Sequence, residues 1–250
     1  TLAVVNAAFP HFGEEACLVG HGGSGTVFFA GCNLGCVFCQ NADLRTPSGG
    51  RQVTDEALAD LFLALQRQGC VNINLVTPTP HAVAILRALD RATRDGLRLP
   101  VVWNTSSYLS PRLLAALDGI VDVYLADFKV ADAEFAARWL HAPDYPEVAL
   151  HAIAEMARQV GPLSLDGRGV ATRGLLVRLL VLPGAEDDAM RVLDLLSWRV
   201  PGTAVNVMAQ YRPLAEARQL PPLDRRPAPE AIARVRARVQ DLGLRPIGAS

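Results

Sequence analysis

The chain has 250 residues, half of them hydrophobic, and a formal net charge of −1. This length and composition allow one large core, and α/β barrels commonly reach this size as a single domain. The balanced charge, without a basic run, argues against nucleic-acid binding, and no apolar stretch approaches the roughly 18 residues that span a bilayer. No signal peptide precedes Thr1, so we expect a cytoplasmic protein without membrane or nucleic-acid partners.

Six apolar runs alternate with helical patterns along the chain. The runs barely alternate in polarity, as in strands buried on both faces, and lie at residues 26–31, 72–77, 100–105, 121–128, 174–182 and 203–209. The helical patterns lie at Thr54–Gln68, Pro80–Asp95, Pro111–Asp118, Pro146–Val160, Glu186–Trp198 and Glu230–Leu242. Strands separated by helices predict parallel βαβ units, and six units are two short of a closed (β/α)8 barrel. The sequence therefore predicts an α/β fold with an open, partial (β/α)6 barrel.

We expect residues 1–250 to form one domain, with a cysteine loop at 31–41 and a C-terminal extension over about 213–250. The extension begins with the proline-rich stretch Pro213–Pro229, which is typical of a long surface connection. Five cysteines, three of them clustered, favour metal binding in a reducing compartment over a disulfide framework. Of the other two, Cys70 is expected to be buried filler and Cys17 is a candidate surface thiol.

The clustered cysteines, Cys32, Cys36 and Cys39, follow the first apolar run with the spacing C-x3-C-x2-C. Three thiolates can bind three irons of a [4Fe–4S] cluster and leave the fourth iron open, whereas clusters that only carry electrons normally use four cysteines. Catalytic metal sites likewise keep one position free. The alternative is a structural zinc site with a distant fourth ligand such as His11 or His21, although zinc cysteines usually come in two C-x2-C-like pairs.

The fourth apolar run ends in Asp127 and Lys129, at the strand edge where parallel α/β folds place their active sites. Strand alternation puts Leu125, Asp127 and Lys129 on one face. Lys129 is the only lysine among 24 basic residues, and its compact ammonium differs chemically from a planar guanidinium. This pattern predicts a functional acid and base. The alternative is a local ion pair in which Asp127 and Lys129 only neutralise each other and bind no ligand.

Other polar residues lie at the ends of the remaining runs. Arg178 is the one charge in the fifth run, and a buried arginine is costly unless a ligand or a partner such as Asp127 pairs with it. Neutral hydrogen-bonding groups end the third and sixth runs: Asn104, Thr105, Ser106, Asn206 and Gln210. A polar residue at one strand end is weak evidence for a site by itself, because turn and capping roles explain most such residues. Their convergence around the cysteine loop predicts a single site.

Taken together, these features resemble the pyruvate formate-lyase activating enzyme-like branch of the radical S-adenosylmethionine (SAM) superfamily. The resemblance covers nearly the whole chain. Besides the cysteine loop, it rests on motifs at residues 11–15, 23–26, 74–78, 102–108, 126–129, 175–178 and 210–213. It implies a radical SAM oxidoreductase related to lyase activating enzymes, with a partial barrel and with a [4Fe–4S] cluster and SAM as cofactors.

The resemblance also implies a role for each matched residue. Cys32, Cys36 and Cys39 would bind the cluster. Lys129 would hold the SAM carboxylate and Asp127 would lie near the sulfonium or the substrate, which makes these two the implied catalytic residues. Further SAM contacts would come from Phe38 along the adenine, Asn104 and Ser106 at the ribose, Arg178 at the carboxylate or ribose region, and Gln210.

The chain departs from the family pattern after the second strand. Many members have Gly-Gly-Glu there to receive the SAM amino group, whereas this chain reads Val76-Thr-Pro-Thr79. Hydroxyls or main-chain carbonyls of Thr77 and Thr79 are expected to substitute. The chain also lacks a second cysteine-rich insertion found in some activases. Relatives often carry a cysteine-containing segment upstream, so we expect a short variant, a truncation, or a Thr1 exposed by removal of the initiator Met.

The implied reaction needs a one-electron donor such as flavodoxin or ferredoxin to reduce the cluster. SAM is then cleaved to methionine and a 5′-deoxyadenosyl radical, which abstracts hydrogen from the substrate. Three functions stay open: activation of a glycyl radical enzyme, radical modification of a small molecule or another protein, and a non-catalytic iron–sulfur or zinc protein. Lys129, Arg178 and Asn104 argue against the third, because a metal scaffold needs no SAM-binding residues. The sequence does not separate the first two.

Overall fold

The computed structural model describes residues 2–248, which contain ten strands and eight α-helices. The strands are β1 (Ala3–His11), β2 (Ser24–Phe29), β3 (Arg51–Val53), β4 (Ile73–Val76), β5 (Val101–Thr105), β6 (Val123–Asp127), β7 (Ser164–Leu165), β8 (Ala171–Leu180), β9 (Ala204–Met208) and β10 (Arg245–Pro246). The helices are α1 (Ala16–Val19), α2 (Asp55–Arg67), α3 (Ala82–Arg94), α4 (Pro111–Leu117), α5 (Ala133–Phe135), α6 (Tyr145–Val160), α7 (Glu186–Arg199) and α8 (Pro229–Asp241).

The sheet has the strand order β10-β9-β8-β6-β5-β4-β2-β1-β3, with β7 paired beside β8. The six predicted strands, β2, β4, β5, β6, β8 and β9, are all parallel neighbours. At one edge β1 and β3 add antiparallel strands, and at the other β10 adds a short parallel one. The two edges are not paired with each other within residues 2–248. The predicted open α/β barrel is therefore confirmed.

Local sequence fixes where the main helices begin. The Thr54 hydroxyl accepts a hydrogen bond from the Ala57 N–H at 3.2 Å, and two acidic residues follow in the first turn of α2. Ser110 caps α4 in the same way at 3.3 Å, with Pro111 in the first helical position, where proline is tolerated. These helices pack on the outside of the sheet, where most of the hydrophobic core lies. No helix within residues 2–248 is both long and apolar enough to cross a membrane.

A second, smaller hydrophobic cluster fills the base of the barrel. It contains inward-facing strand residues together with α1: Cys17, Leu18, Val102, Val123, Leu125, Leu163, Ala171, Leu176 and Ala204. The chain reaches this position because β1 runs antiparallel to β2 and ends beside the first residue of that strand. Residues 12–23 then turn under the barrel and form its floor. Cys17 is consequently buried, so its prediction as a surface thiol is wrong, while Cys70 is buried as predicted.

Candidate active site

A cavity of about 480 Å³ opens at the carboxyl ends of the parallel strands. Asn206, one of the polar strand-end residues expected there, does not line it and donates instead to Glu15, but every residue that the family resemblance assigns to the site does line it. These residues are Cys32, Cys36, Phe38, Cys39, Thr77, Thr79, Asn104, Ser106, Asp127, Lys129, Arg178 and Gln210. They come from the ends of six different elements, which the parallel topology brings to one edge. The structure thus places the predicted residues together; their individual roles stay predictions.

The cysteine loop starts directly after β2 and is anchored by backbone hydrogen bonds. Gly31 has a φ of 97°, a conformation that favours glycine, and its N–H donates to the Leu44 carbonyl at 2.8 Å. The Val37 N–H donates to the Trp139 carbonyl at 2.9 Å, and the Val37 carbonyl accepts from the Ala217 N–H at 3.1 Å. Three separate parts of the chain therefore hold the loop in place.

The donor set of this loop fits an iron–sulfur cluster. Cys36 is buried and Cys32 and Cys39 are half-buried. Burial raises the pKa of the Cys36 thiol to about 12 and also raises the pKa of Cys32. Metal ions bind thiolates, so iron would supply the positive charge that favours the deprotonated form. Soft thiolate ligands of this kind suit iron–sulfur clusters.

The zinc alternative calls for ligands that converge on one ion. Within residues 2–248, no group of three His, Cys, Asp or Glu side chains is placed to hold a single metal ion. A [4Fe–4S] cluster places each thiolate on a separate iron, so its cysteines need not converge on one point. Of the two candidate zinc histidines, His11 lines the cavity and packs against Phe9 and Phe28, whereas His21 is exposed and does not line it.

Asp127, Lys129 and Arg178 form one charge cluster in the cavity wall. Asp127 Oδ2 accepts from Lys129 Nζ at 2.8 Å, and Asp127 Oδ1 accepts from Arg178 Nε at 2.8 Å. The β6–β8 register sets Asp127 beside Arg178. Burial favours a higher pKa for Asp127, but the two cations outweigh it and hold the pKa below its usual value. Both intramolecular pairs considered from the sequence are therefore present, and all three residues also line the cavity.

A buried tyrosine that the sequence did not single out organises the same wall. The Tyr145 hydroxyl accepts from the Lys129 N–H at 3.0 Å and lies 2.9 Å from the Ser106 carbonyl and 3.0 Å from the Asp127 carbonyl. Its single proton can serve one of these carbonyls at a time. Asn104 Oδ1 accepts from Arg178 Nη2 at 2.7 Å, which links β5 to β8 as well. No local pattern distinguishes Tyr145, because its role depends on packing between α6 and the strand ends.

The segment that replaces Gly-Gly-Glu has an unusual backbone at Thr77. Its φ is 60°, in the left-handed region that glycine adopts readily and that costs a non-glycine residue about 1–3 kcal/mol. The Thr77 N–H donates to the Asn104 carbonyl at 3.1 Å, which continues the β4–β5 ladder into the site. Both Thr77 and Thr79 line the cavity. Strained residues of this kind are concentrated at functional sites.

Two acidic residues without a predicted role, Glu14 and Glu15, lie between β1 and α1 beneath the charge cluster. Glu14 Oε2 is 3.5 Å from Arg178 Nη1, and Glu15 Oε1 accepts from Asn206 Nδ2 at 3.0 Å. Burial raises the pKa of Glu14 to about 7 although Arg178 acts to lower it. The motif at residues 11–15 belongs to the resemblance, and that was the one sequence signal that pointed to this pair.

A sequence profile of the Radical SAM superfamily matches residues 26–196, which extend from β2 through the cysteine loop to α7. The chain belongs to the radical SAM superfamily. The cofactors of this superfamily are a [4Fe–4S] cluster and SAM, so that part of the prediction is confirmed. The match begins within β2, so the Glu14–Glu15 segment and β1 lie outside the matched span.

The chain is also similar to individual proteins. The uncharacterized protein MJ0674 of Methanocaldococcus jannaschii is 31% identical over 227 residues, which cover 87% of this radical SAM protein and 61% of the relative. The chain thus spans less than two thirds of that relative's length. Streptococcus suis SuiB bound to S-adenosylmethionine has a TM-score of 0.53 at 10% identity, over 87% of this chain and 45% of SuiB. At that identity the likeness shows the fold alone.

A domain of pyruvate-formate lyase-activating enzyme from Bacteroides vulgatus also matches, over 69% of this chain and 94% of that domain. Its TM-score is 0.49 at 15% sequence identity. A structural similarity this low carries no argument about function.

Proposed function

We propose that this radical SAM protein binds a [4Fe–4S] cluster through Cys32, Cys36 and Cys39 and uses the product of reductive SAM cleavage to abstract hydrogen from a substrate. When bound and reduced, the cluster supplies the electron that splits SAM into methionine and a 5′-deoxyadenosyl radical. One observation carries the proposal: the three thiols share a single cavity with the Asp127–Lys129–Arg178 charge cluster.

The charge cluster suits the charges of SAM, which has a carboxylate, an ammonium group and a sulfonium. Lys129 has three N–H donors, and Asp127 occupies one of them, so two stay available for the SAM carboxylate. A hydrogen bond between two charged groups is roughly twice as strong as a neutral one. Asp127 is kept ionised by its cations, and we assign it to the neighbourhood of the positive sulfonium or of the substrate.

The remaining predicted residues are assigned to the rest of SAM. Asn104 uses its Oδ1 to accept from Arg178, which leaves its amide N–H2 for the ribose, with Ser106 beside it. Thr77 and Thr79 are assigned to the amino group through hydroxyls or carbonyls. Phe38 is assigned to the adenine, and Arg178 and Gln210 complete the wall of the same cavity.

The motifs of the sequence support a finer family assignment, to the pyruvate formate-lyase activating enzyme-like branch. A glycyl radical enzyme is then one proposed partner. Modification of a small molecule or of another protein uses the same cavity and is the competing proposal. The two differ in what couples to SAM cleavage, so a candidate partner that accelerates the cleavage decides between them.

The direct test is the cluster itself. After anaerobic reconstitution, the protein should hold about four irons and four sulfides, and the EPR signal of the reduced protein should change when SAM is added. Replacing Cys32, Cys36 or Cys39 by Ala should abolish the cluster, because each would remove the only protein ligand to one iron.

Cys17→Ala and Cys70→Ala are the matched controls, since both thiols are buried outside the cavity. Both variants should retain full iron and sulfide. A purified protein that holds zinc, and that loses its fold when iron replaces the zinc, would contradict the proposal and favour the non-catalytic zinc alternative.

A further inference from the structure

The connection between β9 and α8 carries positive charge at residues 212–226, here called the basic connection. It contains four arginines and two acidic residues, on a chain whose formal net charge is −1. All four arginines are exposed, and none pairs with a carboxylate within residues 2–248: Arg212, Arg218, Arg225 and Arg226. Their charge is therefore directed to solvent rather than used to hold the fold.

The basic connection lies directly against the cysteine loop. The Gln40 side-chain amide donates to the Arg212 carbonyl at 3.1 Å, and the Ala217 N–H donates to the Val37 carbonyl at 3.1 Å. Arg45 joins the two segments again, because its Nη1 donates to the Cys36 carbonyl at 3.1 Å and its Nη2 pairs with Glu216 at 2.9 Å. These links fix the exposed positive charge beside the residues assigned to the cluster.

We propose that the basic connection is the docking surface for an acidic one-electron donor protein, which deepens the proposed function and rests on it. In the docked complex the donor is oxidised by one electron and the cluster is reduced by one electron, with no atom transferred. Electron-transfer encounters use small, weak interfaces, and charge complementarity raises their rate of association. A positively charged surface next to the cysteine loop would provide charge complementarity to a negatively charged donor and would bring that donor close to the cluster.

The composition of the basic connection favours a protein over a nucleic acid as its partner. Residues 212–226 include no Phe, Trp or Tyr on which bases could stack. They include three prolines, which restrict the backbone and keep the arginines on a preformed surface. Arg212 and Arg218 adjoin the contacts with the cysteine loop, because the Arg212 carbonyl accepts from Gln40 and Arg218 follows Ala217, which donates to the Val37 carbonyl.

The test measures reduction of the reconstituted cluster by an acidic flavodoxin in its reduced form, under anaerobic stopped-flow conditions. Reversing two charges, Arg212→Glu with Arg218→Glu, should lower the bimolecular rate constant at low ionic strength by about tenfold or more. The difference should shrink in high salt because surface charges are then screened. Dithionite, a small reductant that needs no docking surface, should reduce the cluster of both proteins to the same extent.

The matched control reverses two arginines at the other end of the barrel, Arg67→Glu with Arg199→Glu. Both are exposed residues at the carboxyl ends of α2 and α7, without ion pairs within residues 2–248, and they change the net charge by the same amount. This variant should be reduced by flavodoxin at the wild-type rate. Iron content and a thermal melt verify that both double variants are folded.

The outcomes separate the two proposals. A wild-type cluster that dithionite cannot reduce would count against the proposed function itself. If dithionite reduces the cluster but flavodoxin does not, the docking surface is wrong while the proposed function stands. The docking surface is equally wrong if the Arg212/Arg218 variant reacts no more slowly than the Arg67/Arg199 control, or if its defect is insensitive to salt.

Discussion

Asp127 sets the electrostatics of the cavity, because both of its carboxylate oxygens accept hydrogen bonds from cations. Burial favours a lower pKa for Lys129, but the adjacent Asp127 outweighs burial and raises the pKa above its usual value. Lys129 therefore stays an ammonium over the physiological range. It is suited to hold an anionic group rather than to accept a proton. The acid and the base predicted from the sequence are therefore both ionised.

Replacing Lys129 by Met should weaken SAM binding while the protein stays folded. The methionine keeps most of the stem volume, and Asp127 retains Arg178 as a partner at 2.8 Å, so the carboxylate is not left unpaired. Loss of a charge-assisted hydrogen bond, worth roughly 1.5–3 kcal/mol, corresponds to about 10- to 150-fold in affinity. Calorimetric or EPR titration of SAM into the reconstituted variant measures this change.

Lys129→Arg is the companion variant, and it should also bind SAM poorly because a planar fork cannot occupy the place of a compact ammonium. If Lys129 served only Asp127, the Met variant would instead lose thermal stability and keep its affinity for SAM. An unchanged affinity for SAM in a well-folded Met variant would show that Lys129 does not bind SAM.

The residues that the sequence identified share one property: their chemistry is visible locally. The cysteine spacing, the single lysine and a lone arginine in an apolar strand each stand out within a few positions. Glu14 and Tyr145 do not, because what matters is their contact with residues far away in the sequence. Glu14 contacts Arg178, which lies 164 positions away in the sequence, and no local periodic pattern predicts a contact over that separation.

At the scale of secondary structure, the segment between β1 and β2 closes the barrel from below. Its helix α1 buries Cys17 and Leu18 among inward-facing strand residues. Its acidic pair reaches the far wall, where Glu15 contacts Asn206 and Glu14 contacts Arg178. A barrel that stays open along its side thus has a fixed floor, and the cavity is bounded by the cysteine loop and by this segment.

The floor makes stability depend on pH through Glu14. The pKa of Glu14 in the folded protein, about 7, lies above its ordinary value of 4.5. Its contribution to the free energy of unfolding is therefore complete below about pH 4.5 and is lost as pH rises through 7. Glu14→Gln removes the titrating group. Relative to wild type, the variant should therefore gain stability between pH 5 and pH 8, by up to about 3 kcal/mol. Urea unfolding at both pH values measures the difference.

A Glu14→Gln variant whose difference from wild type is independent of pH would show that Glu14 does not titrate in this range.

The major elements could be predicted because their patterns are strong. All six buried strands and six long helices lie where the sequence put them, with ends displaced by a few residues. β1 was missed because Pro10 and several alanines interrupt its strand pattern. Such a pattern suits the part of β1 after Val5, which pairs with β2 but not with β3. β3, β7 and β10 are two or three residues long and form only through pairing with a neighbour.

In the molecule as a whole, the open barrel brings two groups of predicted site residues to one cavity and has the basic connection beside it. The carboxyl ends of the parallel strands supply the charge cluster, the loop after β2 supplies the cysteines, and the basic connection contacts that loop. The sequence predicted the first two because parallel topology dictates where strand ends meet. The floor and the basic connection depend on chain paths between elements, which strand and helix periodicity do not determine.

Product analysis shows whether this cavity cleaves SAM reductively, as we propose. The reconstituted protein, incubated anaerobically with dithionite and SAM, should slowly release 5′-deoxyadenosine even without a substrate, because the cleavage belongs to the cluster and SAM. Cys36→Ala should release none, and Cys70→Ala should match wild type. Release of only methylthioadenosine, or of no nucleoside, from protein with a full cluster would contradict reductive cleavage of SAM in this cavity.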